Sequence, residues 1–150
     1  MSVTKTLSNN LKFQLGNGAI DFSGDFRVIL MDDTFTFDRN THGTYGDISA
    51  SELAAGNGYT VEGELLVVDS AWAQDNANNQ ATVSWADVTW TADAGSIGPT
   101  ISAVVLQWDG VDAANSIIVG EVHFGAGKTI TDGVSFQLQD LGFDLKQGGA

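Results

Sequence analysis

From Val83 to Trp108 the apolar positions keep a period of two but change phase. Val83 and Trp85 alternate with polar residues, and Val88, Trp90 and Ala92 then alternate on the opposite parity. A period of two predicts half-buried strand, and a change of phase within the run predicts a bulge or a move to another strand. Through Ile101–Trp108 both parities are largely apolar. An antiparallel sandwich strand usually keeps one wet face. Two-sided burial therefore calls for a cover on the outer face, from this chain or another molecule, and the expectation is that a second protein supplies part of it.

Upstream, Leu7, Leu11 and Leu15 fall four apart with Phe13 close by, before Gly16-Asn17-Gly18 stops the pattern. This predicts a short amphipathic helix over about residues 5–16, too short to stand alone in water. Phe26–Met31 reads as an interior strand whose Arg27 is expected to pair with a carboxylate. Between about residues 32 and 58 the alternation breaks, and Phe35, Phe37, His42 and Tyr45 fall in a long connection with a serine-to-glutamate capping signal near Ser49 and Glu52. Long connections are usually functional or ordered by a partner. Leu65–Trp72, Ile117–Phe124 and the tail follow as strands, the tail alternating at Val134, Phe136 and Leu138 and then, in the other phase, at Leu141, Phe143 and Leu145. Eight to ten short strands with at most two small helices predict an all-β fold, an antiparallel β-sandwich or jelly roll with a short N-terminal helix, as a single domain over residues 1–150.

The formal charge of −13, with six Lys and Arg against 19 Asp and Glu, argues against nucleic acid and anionic membranes as partners. No cysteine is present, which removes disulfides, cysteine-based zinc sites and thiol catalysis. No apolar run approaches the roughly 20 residues that span a bilayer, and no signal-peptide stretch follows Met1, so a soluble chain made in the cytoplasm is expected.

Candidate chemistry is sparse. His42 and His123 lie far apart, and no cofactor or metal is expected from them. Asp32, Asp33 and Asp38, and the Asp109-Gly110-Val111-Asp112 turn, carry oxygen ligands of the kind calcium uses, but they fit no EF-hand loop and read first as turn residues. Gly125-Ala126-Gly127-Lys128-Thr129 resembles the end of a phosphate loop without its first glycine, since Val122 stands there, and reads as a turn. Trp72, Trp85, Trp90 and Trp108 would make a sugar platform only if exposed together; each sits in an apolar strand pattern. No catalytic residues are assigned.

The order of segments resembles a family of small virion proteins of tailed bacteriophages. A "dGtIDf" turn is matched by Gly16-Asn17-Gly18-Ala19-Ile20-Asp21-Phe22, and a "kvaLl" strand by Arg27-Val28-Ile29-Leu30-Met31. An "fd.dtH" element follows at Thr36-Phe37-Asp38-Arg39-Asn40-Thr41-His42, and a "sGtGYt.gG..L" turn at residues 54–65. The "addvtW" element is Trp85-Ala86-Asp87-Val88-Thr89-Trp90, and the terminal "g.v.fg.g....ggdf.i" is matched by Gly120–Gly125 with Asp132–Gln137. The Thr91–Pro99 segment is richer in glycine than that pattern. The resemblance covers nearly the whole chain, brings no catalytic residues, and implies a virion component.

The expected function is a non-enzymatic structural protein of a phage particle, most simply a capsid decoration or cement protein. Its partners would be the major capsid protein or other virion proteins, and sister copies in a homo-oligomer, for which closed symmetry makes a trimer natural. The contacts would come from Leu7, Leu11, Phe13 and Leu15 on the helix and from Phe35, Phe37 and Tyr45 on the long loop. The alternative is a glycan-binding module of a head fibre, collar or tail tip.

Overall fold

The phase change between Trp85 and Val88 is a change of sheet. In the computed structural model, which describes residues 3–146, β4 (Val68–Asp75), β5 (Gln80–Trp85) and β10 (Gly142–Lys146) form a three-stranded antiparallel sheet with β5 in the middle, whereas β6 (Val88–Thr91) pairs with β9 (Ser135–Leu138). The phase change in the tail is the other half of the same corner. Ser84 faces Gly142 before it and Val88 faces Leu138 after it, so the two strands turn together and no residue is gained on either. The Trp85 N–H donates to the Leu141 carbonyl at 2.8 Å, and the Asp140 N–H donates to Asp87 Oδ1 at 3.2 Å, tying the bend. One bent ribbon thus keeps Val83, Trp85, Val88, Trp90, Leu138, Leu141 and Phe143 on the inside, all buried.

The facing layer is a five-stranded sheet. Its strands are β1 (Thr4–Leu7), β2 (Phe26–Asp32), β3 (Glu64–Leu65), β7 (Ile97–Gln107) and β8 (Ile117–Ile130), in the order β1-β8-β7-β2-β3 with every neighbour antiparallel. Phe26, Val28 and Leu30 of β2, Ala103 and Val105 of β7, and Val119, Val122 and Phe124 of β8 meet the ribbon to form the main core. An all-β sandwich with a short helix is the architecture that the alternation predicts.

The opposite parity of the same strands holds a second core. Ile29, Met31, Val104, Leu106 and Ile118 are all fully buried on the outer face, under Phe35, Tyr45 and Ile48. The expectation that a second protein must cover this face is therefore corrected: the connection over residues 32–58 folds back and covers it. Each such side chain contributes about 1.5–3 kcal/mol when buried, so a chain of this size can hide both faces by folding one of its own loops over the sheet.

The first helix is shorter than its apolar spacing suggests. α1 spans Asn9–Gly16, and Leu7 belongs to β1, opposite Gly120 of β8. The boundary is set by Ser8, whose extended backbone and Oγ, accepting the Asn10 N–H at 3.2 Å, make it an N-cap. Residues 125–128, read as a turn, instead continue β8, with the register shifting between Thr100 and Ser102 of its partner and Gly125 at φ +84°. Among the described residues Arg27 takes no carboxylate: its guanidinium lies 4.1 Å from the Trp108 ring centroid, a cation–π contact.

Candidate functional site

The long connection is ordered by polar ties to its own sheet. Its first helical turn, α2 (Tyr45–Ile48), starts where the Asp47 carboxylate accepts the Gly43 and Thr44 N–H groups at 2.9 and 2.8 Å; a 3₁₀ turn, Ser49–Ser51, follows. The Tyr45 N–H reaches the Ser116 carbonyl at 2.9 Å, and the Ile118 N–H reaches Gly43 at 3.0 Å. Beyond Val28, where pairing with β3 ends, the free edge of β2 is closed by the loop: the Leu30 carbonyl accepts the Leu53 N–H at 3.0 Å, and the Leu30 N–H donates to the Tyr59 hydroxyl at 3.0 Å.

Glu52 is the hub of this closure. Its carboxylate accepts the hydroxyls of Tyr45 and Tyr59, the latter at 2.7 Å, and the Glu62 N–H at 2.8 Å. Burial pushes the Glu52 carboxyl above its ordinary value, against the opposing pull of those donors. Burial first, and then the adjacent carboxylate, raise both phenols far above theirs. The local sequence shows only a capping signal at Glu52, because its partners lie seven residues away on either side with no periodicity to link them.

Of the residues expected to meet a partner, most are already used within the fold. Leu11, Phe35 and Tyr45 are buried, while Leu7, Leu15 and Phe37 are half-buried. This corrects their reading as free contacts: Leu11 packs into the main core and Phe35 and Tyr45 into the outer one. Phe35 and Phe37 instead flank His42, with ring centroids 5.6 and 5.8 Å away. Phe13 alone of the set stands well out, 64 % exposed.

The apolar surface left open lies elsewhere. Leu65 and Val67 are 59 and 66 % exposed, and Val68 is 42 % exposed at the start of β4, the edge strand of its sheet. From Val68 a groove of about 560 Å³ runs past Ala71 and Trp72 to Leu15, Ile20 and Phe22. Its floor is a stack of aromatic rings, Trp72 on Phe22 at 4.6 Å and Phe22 on Phe26 at 5.4 Å. Exposed apolar side chains beside an apolar groove make this the candidate interaction surface. The sequence hid it because Leu65–Val68 reads as an ordinary two-sided strand.

The carboxylates expected at turns are there, engaged by backbone. Asp32 accepts the Thr34 N–H at 2.9 Å, Asp38 that of Asn40 at 2.9 Å, and Asp109 those of Val111 and Asp112 at 2.8 and 3.1 Å. These bonds hold Asp38 and Asp109 below the usual carboxylate range. Among the described residues no group of three or more His, Asp or Glu side chains is placed to hold a metal ion.

Glu121 is a different case. Val122 and Phe124 face the main core, so Glu121 and His123 lie on the outer face of β8. Glu121 is 5 % exposed, and its Oε1 and the Ser102 hydroxyl are buried without hydrogen-bond partners. Burial raises its carboxyl above the ordinary value, and the charges of the two histidines pull the other way without overcoming it. Of the tryptophans, Trp85 and Trp90 are buried, Trp108 lies against Arg27, and Trp72 lines the groove. Comparison with protein-family models, with curated proteins and with solved structures found no match in any of the three.

Proposed function

We propose that the chain is a non-enzymatic structural protein of a tailed-phage particle, a decoration or cement protein that docks on the major capsid protein or on other virion proteins. It would be made in the host cytoplasm and reside in the virion. The ordered motifs from Gly16 to Gln137 support the family, and the exposed strip Leu65–Val68 with its groove supports the mode of action. The observation that carries the docking role is that this strip stays open in a chain that has covered both apolar faces of its central strands, one with the bent ribbon and the other with its own loop. An exposed apolar edge contributes affinity by area, repeated at each lattice position of a shell.

The test is binding to particles stripped of accessory proteins, followed by imaging of the reconstituted particle. Attachment at a copy number on the scale of the capsid subunits, lost in the Leu65→Asp/Val67→Asp variant, is expected. Attachment only at a collar or tail tip would move the chain out of the shell, and no attachment at all would end the proposal.

Trp72 favours the second reading, a glycan-binding module, because it is the one tryptophan that lines this groove. Quenching of Trp72 fluorescence by sugars, abolished in Trp72→Phe, would select that reading over the first.

No helix among the described residues is long and apolar enough to cross a membrane.

A further inference from the structure

The charges of this chain are sorted in space. Four of its six cations, Lys5, Lys12, Arg39 and Lys146, line a single groove of about 300 Å³ in the seam where β1, the edge of one sheet, faces β10, the edge of the other. Lys12, Arg39 and Lys146 are exposed, and Lys5 Nζ donates to the backbone carbonyls of Asp140 and Gly142 at 2.8 and 2.9 Å. Directly alongside, over the outer face of β5 and β10, lies a second groove of about 530 Å³ that carries Asp69, Asp87, Asp140 and Asp144. Lys5, Gly142 and Asp144 line both grooves, so a basic half and an acidic half meet along β10.

We infer that this seam is where a second copy of the chain docks, about a two-fold axis that passes near Gly142 and sets the basic half of each copy on the acidic half of the other. The argument is charge complementarity with itself. Two-fold contacts join one patch to the same patch, so a surface that is self-complementary must carry both signs side by side, as this one does. A separate acidic partner would need only the basic half and would leave four carboxylates facing carboxylates. Nucleic acid fits less well, since its phosphates would run from the basic groove straight into the acidic one and into the field of a chain of net charge −13. The two unpaired strand edges in the seam are the kind of surface that proteins cover. The inference stands apart from the phage reading, since it concerns the isolated chain, and it gives the oligomer a two-fold in place of the trimer expected from sequence.

Sedimentation equilibrium of the full chain tests it. At low ionic strength the species is expected at twice 15.8 kDa. Raising the salt from about 0.1 M to about 1 M shortens the screening length from roughly 10 Å to roughly 3 Å, and dissociation should become at least about tenfold easier. Lys12→Glu/Arg39→Glu and, separately, Asp69→Lys/Asp144→Lys should each weaken self-association by about 100-fold or more, because each change is repeated across the axis. Mixing the two variants should restore a 1:1 heterodimer; this recovery also shows that both are folded. Lys12→Ala/Arg39→Ala provides the same reading without reversed charge. A monomer at every salt concentration, a trimer, association that strengthens with salt, or variants that associate as the parent does would each overturn the inference. So would a seam that binds a polyanion such as heparin while the chain stays monomeric.

Discussion

The hydroxyl of Tyr59 stands between Glu52 and the edge of β2, donating to Glu52 Oε1 at 2.7 Å and accepting the Leu30 N–H at 3.0 Å. One phenol thereby satisfies a strand edge and a buried carboxylate at once. Tyr59→Phe leaves the Leu30 N–H unpaired and takes one of three donors from Glu52, and the expected loss is about 1–3 kcal/mol, the cost of one buried polar group left without a partner. Urea unfolding measures it. Tyr59→Phe and Glu52→Gln should couple in a double-mutant cycle by about 1 kcal/mol or more; additive effects would mean that the two groups do not act through one another.

The pH profile of stability should have two arms of opposite sign. Asp47, whose pKa is lowered chiefly by the Thr44 N–H, stabilises the fold above its unfolded value near 3.8, and this contribution is lost as the pH falls through the folded value. Glu121 and Glu52 carry raised values, so their contribution is present below the unfolded pKa and is lost as the pH rises through the folded one. Glu121→Gln removes the buried charge at near-constant volume. It should therefore raise stability at neutral pH by about 1–3 kcal/mol, with the gain shrinking as acid protonates the parent carboxyl. A gain that is independent of pH would show that the charge is not what burial penalises.

Gly120 is a steric choice. A Cβ there would lie 2.6 Å from the Thr6 carbonyl oxygen and 2.9 Å from Phe143 Cε1, with backbone on one side and a core ring on the other. Gly120→Ala is expected to cost about 1–3 kcal/mol through overpacking, read as a lower unfolding midpoint. Gly16→Ala, where nothing lies within 4 Å, serves as the tolerant control.

Residues 32–58 should resist protease in the isolated chain. The segment is tied to β2 and β8 by backbone bonds and carries Phe35, Tyr45 and Ile48 into a core, so cleavage there requires opening of that core. Early nicks are expected instead at the tip between β4 and β5 and around Val111, which is 99 % exposed. A first cut within 32–58 would mean that the loop needs a partner to stay down.

The strands were legible because burial writes a period of two, and both phase changes marked true corners. What covers the two-sided strands was not legible, because Phe35, Tyr45 and Ile48 are spaced irregularly in a segment whose order comes from hydrogen bonds to Ser116, Ile118 and Leu30. Leu7 misled for a simpler reason: it keeps the helical spacing to Leu11 while Ser8 caps the helix between them. Nor could the apolar strip and the charged seam be read, since Lys5, Lys12, Arg39 and Lys146 come together only when β1 and β10 face one another.

The shared corner of β5–β6 and β9–β10 also dictates where this chain tolerates added length. One extra residue in either strand would open a bulge at the bend or turn that strand's side chains beyond it from inside to outside, because the ribbon enters and leaves the bend with the same partners. A tag, a fluorophore or a grafted epitope therefore belongs at the asparagine-rich tip after Asp75 or beside Val111, where the added chain projects into water and both layers keep their alignment.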